Sequence, residues 1–325
     1  MWVKHFDTIR KEDAESAGGK GASLGEMTDA GIPVPPGFVV LSSGFDRFAV
    51  DILPEIERLR MGDPETASDA IRELILNTRI PEEIKREIQA GFDDLDAVYV
   101  AVRSSATAED SASDAWAGQL ESYLNITGDG LMDAVKRCWA SLFTPRAIVY
   151  RKEKGLSDKH ISVAVVVQKM VQSEVSGIAF SVHPVTQDRN TMIIESGFGL
   201  GEAIVSGQIT PDSFVVSKDL QITEKTISDQ KKGIFQGKHG NQWRDIDGSK
   251  PTLTDDQVKE LAELIIRIEK HYGFPVDVEW ALEKGKFYIV QSRPITTLRK
   301  EEWSIPRKRW VPSLWPVYLY FGWLQ

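Results

Sequence analysis

Apolar positions along the chain recur with two periods, and the change from one to the other outlines the fold. A short strand-like run at 3–6 leads into Ala17-Gly18-Gly19-Lys20-Gly21-Ala22-Ser23-Leu24-Gly25-Glu26-Met27, which reads as a glycine loop running into a helix. A turn and a short strand follow at 31–41. From residue 42 to about residue 97 the spacing is helical and charged, with Ile52, Ile56 and Leu59 on one face and Pro81-Glu82-Glu83 opening a further helix. Residues 98–105 then form a strand ending in Arg103-Ser104-Ser105. Residues 115–125 read as a lid loop closing into a strand, and 128–143 as a helix. A long apolar strand at 161–170 ends in Gln168-Lys169-Met170, and 176–181 and 192–195 add further strands. Residues 215–248 have the look of a polar antiparallel meander, and 254–272 of an amphipathic helix opened by Thr254-Asp255-Asp256.

The last element predicted is a hairpin. Val276, Val278 and Trp280 alternate with Asp277, Glu279 and Ala281, Glu283-Lys284-Gly285-Lys286 is the turn, and Phe287 starts the return strand. Asp277 and Glu279 share one face of the first strand, and Gln291 and Arg293 share a face of the second. Where these faces coincide, two hard oxygen ligands beside an amide suit Mg²⁺ held jointly with phosphates, and the Arg suits the phosphates themselves. A solvent-facing strand pair with a cross-strand Glu/Arg ion pair satisfies the same pattern.

Other stretches invite similar chemistry, each with a plainer alternative. Free N–H groups where glycines enter a helix, with Lys20 among them, suit an anion; a helix cap with a solvated lysine has the same sequence. It is not a P-loop, because no Ser or Thr follows Gly19-Lys20. Arg103 at a strand end before two hydroxyls suits a phosphate clamp, or a pair with Glu109 or Asp110. The strand at 161–170, placed at a domain crossover, would offer backbone groups and Gln168 to an adenine edge. Gly197-Phe198-Gly199-Leu200-Gly201-Glu202 matches a dinucleotide fingerprint only loosely.

Composition narrows the classes. At 325 residues the chain can hold two or more cores, and its 39 Lys plus Arg against 48 Asp plus Glu, a formal charge of −9, disfavour a general nucleic-acid or anionic-membrane surface. One cysteine, Cys138, excludes an intrachain disulfide framework and multi-thiolate zinc, so a reducing cytoplasm is the expected location. No run approaches the about 18 apolar residues of a membrane span, and Met1-Trp2-Val3-Lys4-His5-Phe6-Asp7 does not read as a secretory leader. After Ile295 the character changes, and at 299–325 Trp303, Trp310, Trp315 and Trp323 with Pro306, Pro312 and Pro316 are expected to form an aromatic docking tail.

Taken together, Gly18-Gly19-Lys20-Gly21-Ala22-Ser23-Leu24-Gly25, Val102-Arg103-Ser104-Ser105-Ala106-Thr107-Ala108-Glu109-Asp110, Ala117-Gly118-Gln119, Ser181-Val182-His183-Pro184-Val185-Thr186, Asp277-Val278-Glu279-Trp280 and Val290-Gln291-Ser292-Arg293-Pro294 resemble the ATP-binding domain of phosphoenolpyruvate synthase (pyruvate, water dikinase). Pyruvate phosphate dikinase, rifampin phosphotransferase and the ATP-binding subunit of phenylphosphate synthase are relatives. The resemblance runs over residues 3–298, in order and at compatible spacings. It implies an α+β, ATP-grasp-like fold whose two lobes, 1–160 and 161–298, clamp ATP, followed by the tail at 299–325. By the same resemblance Lys20 and Arg103 hold phosphates, Gly118 and Ser122 belong to the loop over them, and Gln168 with Met170 meets adenine. Glu279 and Gln291 position Mg²⁺, Arg293 the phosphoryl groups, and Asp277 assists from outside the metal shell; Lys20, Arg103 and Arg293 are the catalytic set.

The family's acceptor is a histidine on a separate swivelling domain, phosphorylated as ATP becomes AMP and phosphate, which then serves a substrate domain. Here His5, His160, His183, His239 and His271 all lack the family's Thr-Cys-His context, and His183 reads as structural. The chain is therefore expected to be incomplete alone, needing those domains on a longer protein or a partner subunit. An ATP-sensing module without transfer is the reading from another class; the retention of Lys20, Arg103, Glu279, Gln291 and Arg293 speaks against it.

Overall fold

The apolar run before Gln168 forms a strand, Val163–Lys169 (β5), buried along almost its whole length. Val163, Val165 and Val167 enter one hydrophobic core and Ala164 and Val166 another, so this strand divides two cores. The computed structural model describes residues 1–106, 121–153, 162–237, 240–296 and 298. Strands Val3–His5 (β1), Gly37–Val40 (β2), Val100–Ala106 (β3) and Ser122–Ile126 (β4) join β5 in an antiparallel sheet of order β1-β2-β5-β3-β4.

One face of this sheet is covered by the helical region: Ser42–Ala49 (α2), Leu53–Arg60 (α3), Pro64–Asn77 (α4), Glu82–Asp94 (α5), Gly128–Ala140 (α6) and Pro145–Glu153 (α7). Phe45, Ile56, Ile71, Ile84 and Trp139, one from each of five helices, pack with Val102 and Val165, and Ile52 and Leu59 join Ile56 on the face read from the sequence. The other face carries α1, Ala14–Asp29.

The second sheet is built from Val175–Phe180 (β6), Thr191–Phe198 (β7), Asp212–Ser217 (β8), Ile222–Thr226 (β9), Val276–Glu283 (β12) and Lys286–Pro294 (β13), in order β13-β12-β6-β7-β8-β9. Between β7 and β12 come a short helix, Glu202–Val205 (α8), a two-stranded ribbon, Lys232–Gly237 (β10) with Gly240–Asp245 (β11), and Asp255–Tyr272 (α9). The amphipathic stripe of α9, Val258, Leu261, Ala262, Ile265 and Ile268, packs on Val276, Val278 and Trp280 of β12. Thr254 caps α9: its hydroxyl accepts the Gln257 N–H at 3.3 Å while the Gln257 side chain accepts the Thr254 N–H at 2.9 Å.

The expected α+β architecture with two sheets is thus present, with two revisions. The glycine-rich stretch at 17–25 is helix, not loop. Gly18 alone leaves helical geometry (φ 70°, ψ 165°), so α1 kinks there and restarts at Gly19. Gly25 is needed for close approach instead: a Cβ there would lie 2.6 Å from Ile9 Cβ. Second, β5, read as opening the second lobe, pairs with β2 and β3 in the first sheet. Gly118, the upstream part of the lid loop and the tail at 299–325 lie outside the described residues. Among those described, no helix is long and apolar enough to cross a membrane.

Candidate functional site

The hairpin of β12 and β13 turns on Lys284 and Gly285, both at positive φ (52° and 73°), the geometry of a two-residue turn matched to strand twist. Its register sets Asp277 opposite Arg293 and Glu279 opposite Gln291, so all four side chains share one face. The opposite face carries Val276, Val278 and Trp280 into the core with α9. Alternation then breaks at one point. Trp280 pairs with Ile289 and Glu279 with Gln291, leaving Val290 as an extra, bulged residue.

The bulge is where the first sheet makes contact. Arg103 donates from Nη1 to the Val290 carbonyl at 3.0 Å and from Nη2 to Glu279 Oε2 at 3.3 Å. Its Nε is buried with no hydrogen-bond partner among the described residues. The segment before β2 also docks on this edge strand, the Pro33 carbonyl accepting the Ile289 N–H at 2.9 Å. Arg103 thus pairs with Glu279; Glu109 and Asp110, the other partners weighed from the sequence, lie outside the described residues.

Lys20 lies in the first turn after the α1 kink. Its ammonium donates to the Ser104 carbonyl at 3.2 Å, and α1 is fixed to β3 by Ser105, whose hydroxyl donates to the Ala17 carbonyl at 3.0 Å and accepts the Gly21 N–H at 3.3 Å. Surrounding protein disfavours the Lys20 charge and Arg103 adds repulsion; Glu279 opposes both, and the pKa falls to about 8. A Cβ added at Gly19 would meet no described residue within 4 Å, so among the described residues the restarted helix end is uncovered there.

Ser122 is opposite Arg103 in the β3–β4 pair and shares its face. Gln168 follows Ala164 and Val166 on the α1 side of β5; it is buried, with its Nε2 3.5 Å from the Pro35 carbonyl. Met170 donates its backbone N–H to the Tyr99 carbonyl at 3.0 Å, so that donor is already used, and its side chain packs beside Leu200, Ala203 and Ile234. Arg293, exposed at its side chain, donates from Nε to Asp277 Oδ2 at 2.7 Å. Burial pushes the Asp277 carboxyl pKa up, against the pull of Arg293. His183 holds its own turn: Nδ1 accepts the N–H groups of Val185 and Thr186, each at 3.2 Å.

One acid on this face escaped the sequence reading. Ile178 pairs with Glu279 on one side and Glu195 on the other, so Glu195 joins Glu279 and Gln291 in a single row across the sheet. Burial raises its pKa. The available signal was a lone acid closing the apolar run Met192-Ile193-Ile194.

The family model for the pyruvate phosphate dikinase AMP/ATP-binding domain matches residues 14–309. The chain belongs to this family. This dikinase ATP-binding domain is 46% identical over 321 residues to a probable phosphoenolpyruvate synthase of Archaeoglobus fulgidus, covering 93% of this chain and 42% of that protein. A probable phosphoenolpyruvate synthase of Methanocaldococcus jannaschii is 42% identical over 320 residues, covering 92% and 27%. The rifampicin phosphotransferase of Bacillus subtilis is 41% identical over 307 residues, covering 89% and 35%. The domain thus spans well under half the length of each of these relatives. Among solved structures, a D-alanine-D-alanine ligase from Helicobacter pylori aligns over 63% of this chain and 45% of its own, at 10% identity and a TM-score of 0.28, too loosely to bear on the site.

Proposed function

We propose that this domain is the ATP-using part of a dikinase-type phosphotransferase, an ATP-grasp-like clamp that phosphorylates a histidine on a separate swivelling domain as ATP becomes AMP and phosphate. The observation that carries the reading is the junction of the two sheets, where Arg103 reaches Glu279 and the bulged Val290 carbonyl beside Gln291. Lys20, Arg103 and Arg293 would align and neutralise phosphates, with Ser122 beside Arg103 and Gln168 toward the base; the buried Nε of Arg103 is a donor suited to a phosphate oxygen. Phosphoryl transfer asks chiefly for such alignment, so the domain needs no nucleophile of its own.

Mg²⁺ fits the donor set. Among the described residues no three acids, His or Cys cluster as a protein-only cage, and Mg²⁺ characteristically takes one or two protein oxygens together with phosphate oxygens and water. Glu279 and Gln291 would supply those oxygens. Asp277, committed to Arg293, would act from outside the metal shell. When bound, the ion would neutralise charge on the transferred group.

Relatives whose names carry different activities match at 41% and 46% identity, which supports a division of labour: the ATP half is shared, and the domain beyond it selects pyruvate, rifampin, phenol or another acceptor. A reducing cytoplasm is the proposed location, in keeping with the buried free thiol of Cys138. Saturating Mg-ATP is expected to raise the melting temperature of the chain, by about 2.7 kcal/mol of added stability at a hundredfold excess over Kd. Glu279→Ala or Arg293→Ala should remove most of that gain. An unchanged melting temperature in the parent protein would sink the site assignment.

A further inference from the structure

Lys20 serves the site only if α1 keeps its place relative to β13, and the contacts that fix this place use residues to which the nucleotide reading gives no role. Helix α9 runs antiparallel beside α1 and meets it at three levels. Arg267 donates to the Ala30 and Gly31 carbonyls at 2.7 and 3.0 Å, His271 Nε2 lies 3.0 Å from Glu26 Oε1, and the Tyr272 hydroxyl lies 3.1 Å from both the hydroxyl and the carbonyl oxygen of Ser23. The last level continues into the site. Ser23 Oγ is 3.0 Å from the carbonyl oxygen of Ser292, the residue between Gln291 and Arg293.

Proton counting orders this cluster. A carbonyl only accepts, so the Ser23 hydroxyl donates to Ser292, and the Tyr272 proton is left for Ser23, through its hydroxyl or its carbonyl. Ser23 lies one helical turn after Lys20, on the same side of α1. We propose that Ser23 and Tyr272 are positioning residues: the chain Tyr272–Ser23–Ser292 locks α1 against β13 and so sets the Lys20 ammonium at a fixed offset from Gln291 and Arg293. The proposal rests on the nucleotide reading of that site. The phenol keeps its proton throughout the working range, since burial, offset in part by the Ser23 hydrogen bond, pushes its pKa up to about 12.

The test is a coupling measurement on the whole chain, titrating Mg-ATP and, as a phosphate-free control, adenosine. Ser23→Ala and Tyr272→Phe are each expected to weaken Mg-ATP about tenfold while adenosine binding stays within about twofold. Adding Lys20→Ala to either variant should then cost much less than Lys20→Ala costs the parent, because the lysine is already displaced. Ser23→Thr, which keeps the hydroxyl, should restore most of the affinity. Variants that melt earlier yet keep the parent's ratio of Mg-ATP to adenosine affinity and the full Lys20→Ala loss would reduce the cluster to ordinary packing and overturn the proposal. Should Ser23→Ala not fold, Tyr272→Phe decides, since it keeps the ring stacked on Phe274 at 5.3 Å between centroids. If Lys20→Ala costs the parent nothing, the assignment of Lys20 to phosphate fails, and the proposal falls with it; a loss confined to the Ser23 and Tyr272 variants separates the two outcomes.

Discussion

The two sheets approach the same face of the molecule with opposite means. From the first sheet and its attached helix come cations, Arg103 on β3 and Lys20 on α1, their charges lying against backbone carbonyls of Val290 and Ser104. From the second come mainly acids, Asp277 and Glu279 on β12 and Glu195 on β7, set in rows by strand register, with Arg293 of β13 paired to Asp277. The two surfaces also differ in room. A Cβ at Gly177 on β6 would lie 1.8 Å from the Glu195 carbonyl oxygen, whereas at Gly19 on α1 it would meet no described residue within 4 Å. A polyphosphate with a divalent cation presents both charge signs, and in the proposed reading each surface would treat chiefly one of them. It also spares either surface from burying many like charges together, and it pairs Arg103 with Glu279 across the junction.

The packing half of this contrast can be broken most forcefully. Gly177→Ala must push β6 away from β7 and from Trp280, and should cost about 3 kcal/mol in urea unfolding; Gly19→Ala should be neutral or stabilise by up to about 1 kcal/mol through helix propensity. Similar costs at the two positions would show that β6 is no more tightly hemmed than the start of α1. The charge half is sharpened by calorimetric titration with and without Mg²⁺. Arg103→Ala is expected to weaken ATP binding about 10- to 100-fold in both conditions, while Glu279→Ala removes most of the gain from Mg²⁺ and changes metal-free binding little. Equal losses under both conditions for both variants would dissolve the division of labour.

The smallest effect expected is on pH dependence. The Lys20 pKa is depressed to about 8, and phosphates beside the ammonium would raise it. Mg-ATP affinity should therefore be full below pH 8 and decline several-fold as pH rises through 8, with proton uptake on binding in that window. The sign for stability is the reverse. Because the folded state disfavours the charged amine, the ligand-free protein should gain stability from this group between about pH 8 and the ordinary lysine value near pH 10.5. A Lys20→Met variant should lose both dependences.

What could be read from the sequence was set by how local the signal is. Side-chain parity along a strand is local, so the sharing of a face by Asp277 and Glu279, and by Gln291 and Arg293, followed from alternation once the turn was located. The helix cap at Thr254 was equally legible, being contained within four residues. The bulge at Val290 has no signature in an apolar run. Nor does an all-valine stretch say which sheet β5 will join: it shows only that both faces are buried. The glycines at 18–25 misled because flexible and tightly packed glycines look alike in a sequence; here Gly25 makes room for Ile9 within a helix. Glu195 joins the acidic row through two strand pairings that are distant in sequence.

The bulged valine also bears on how the length of this protein can vary. Since Ile289 already faces Trp280 and Gln291 already faces Glu279, the ladder needs nothing between them. A chain shortened by one residue at 290 would keep every other pairing of the hairpin, and all four polar side chains would stay on their face. It would lose only the carbonyl that receives Arg103. A single-residue gap at this position is therefore a silent change for the fold and a visible one for the junction between the sheets, a place where homologous chains could differ in length without differing in architecture.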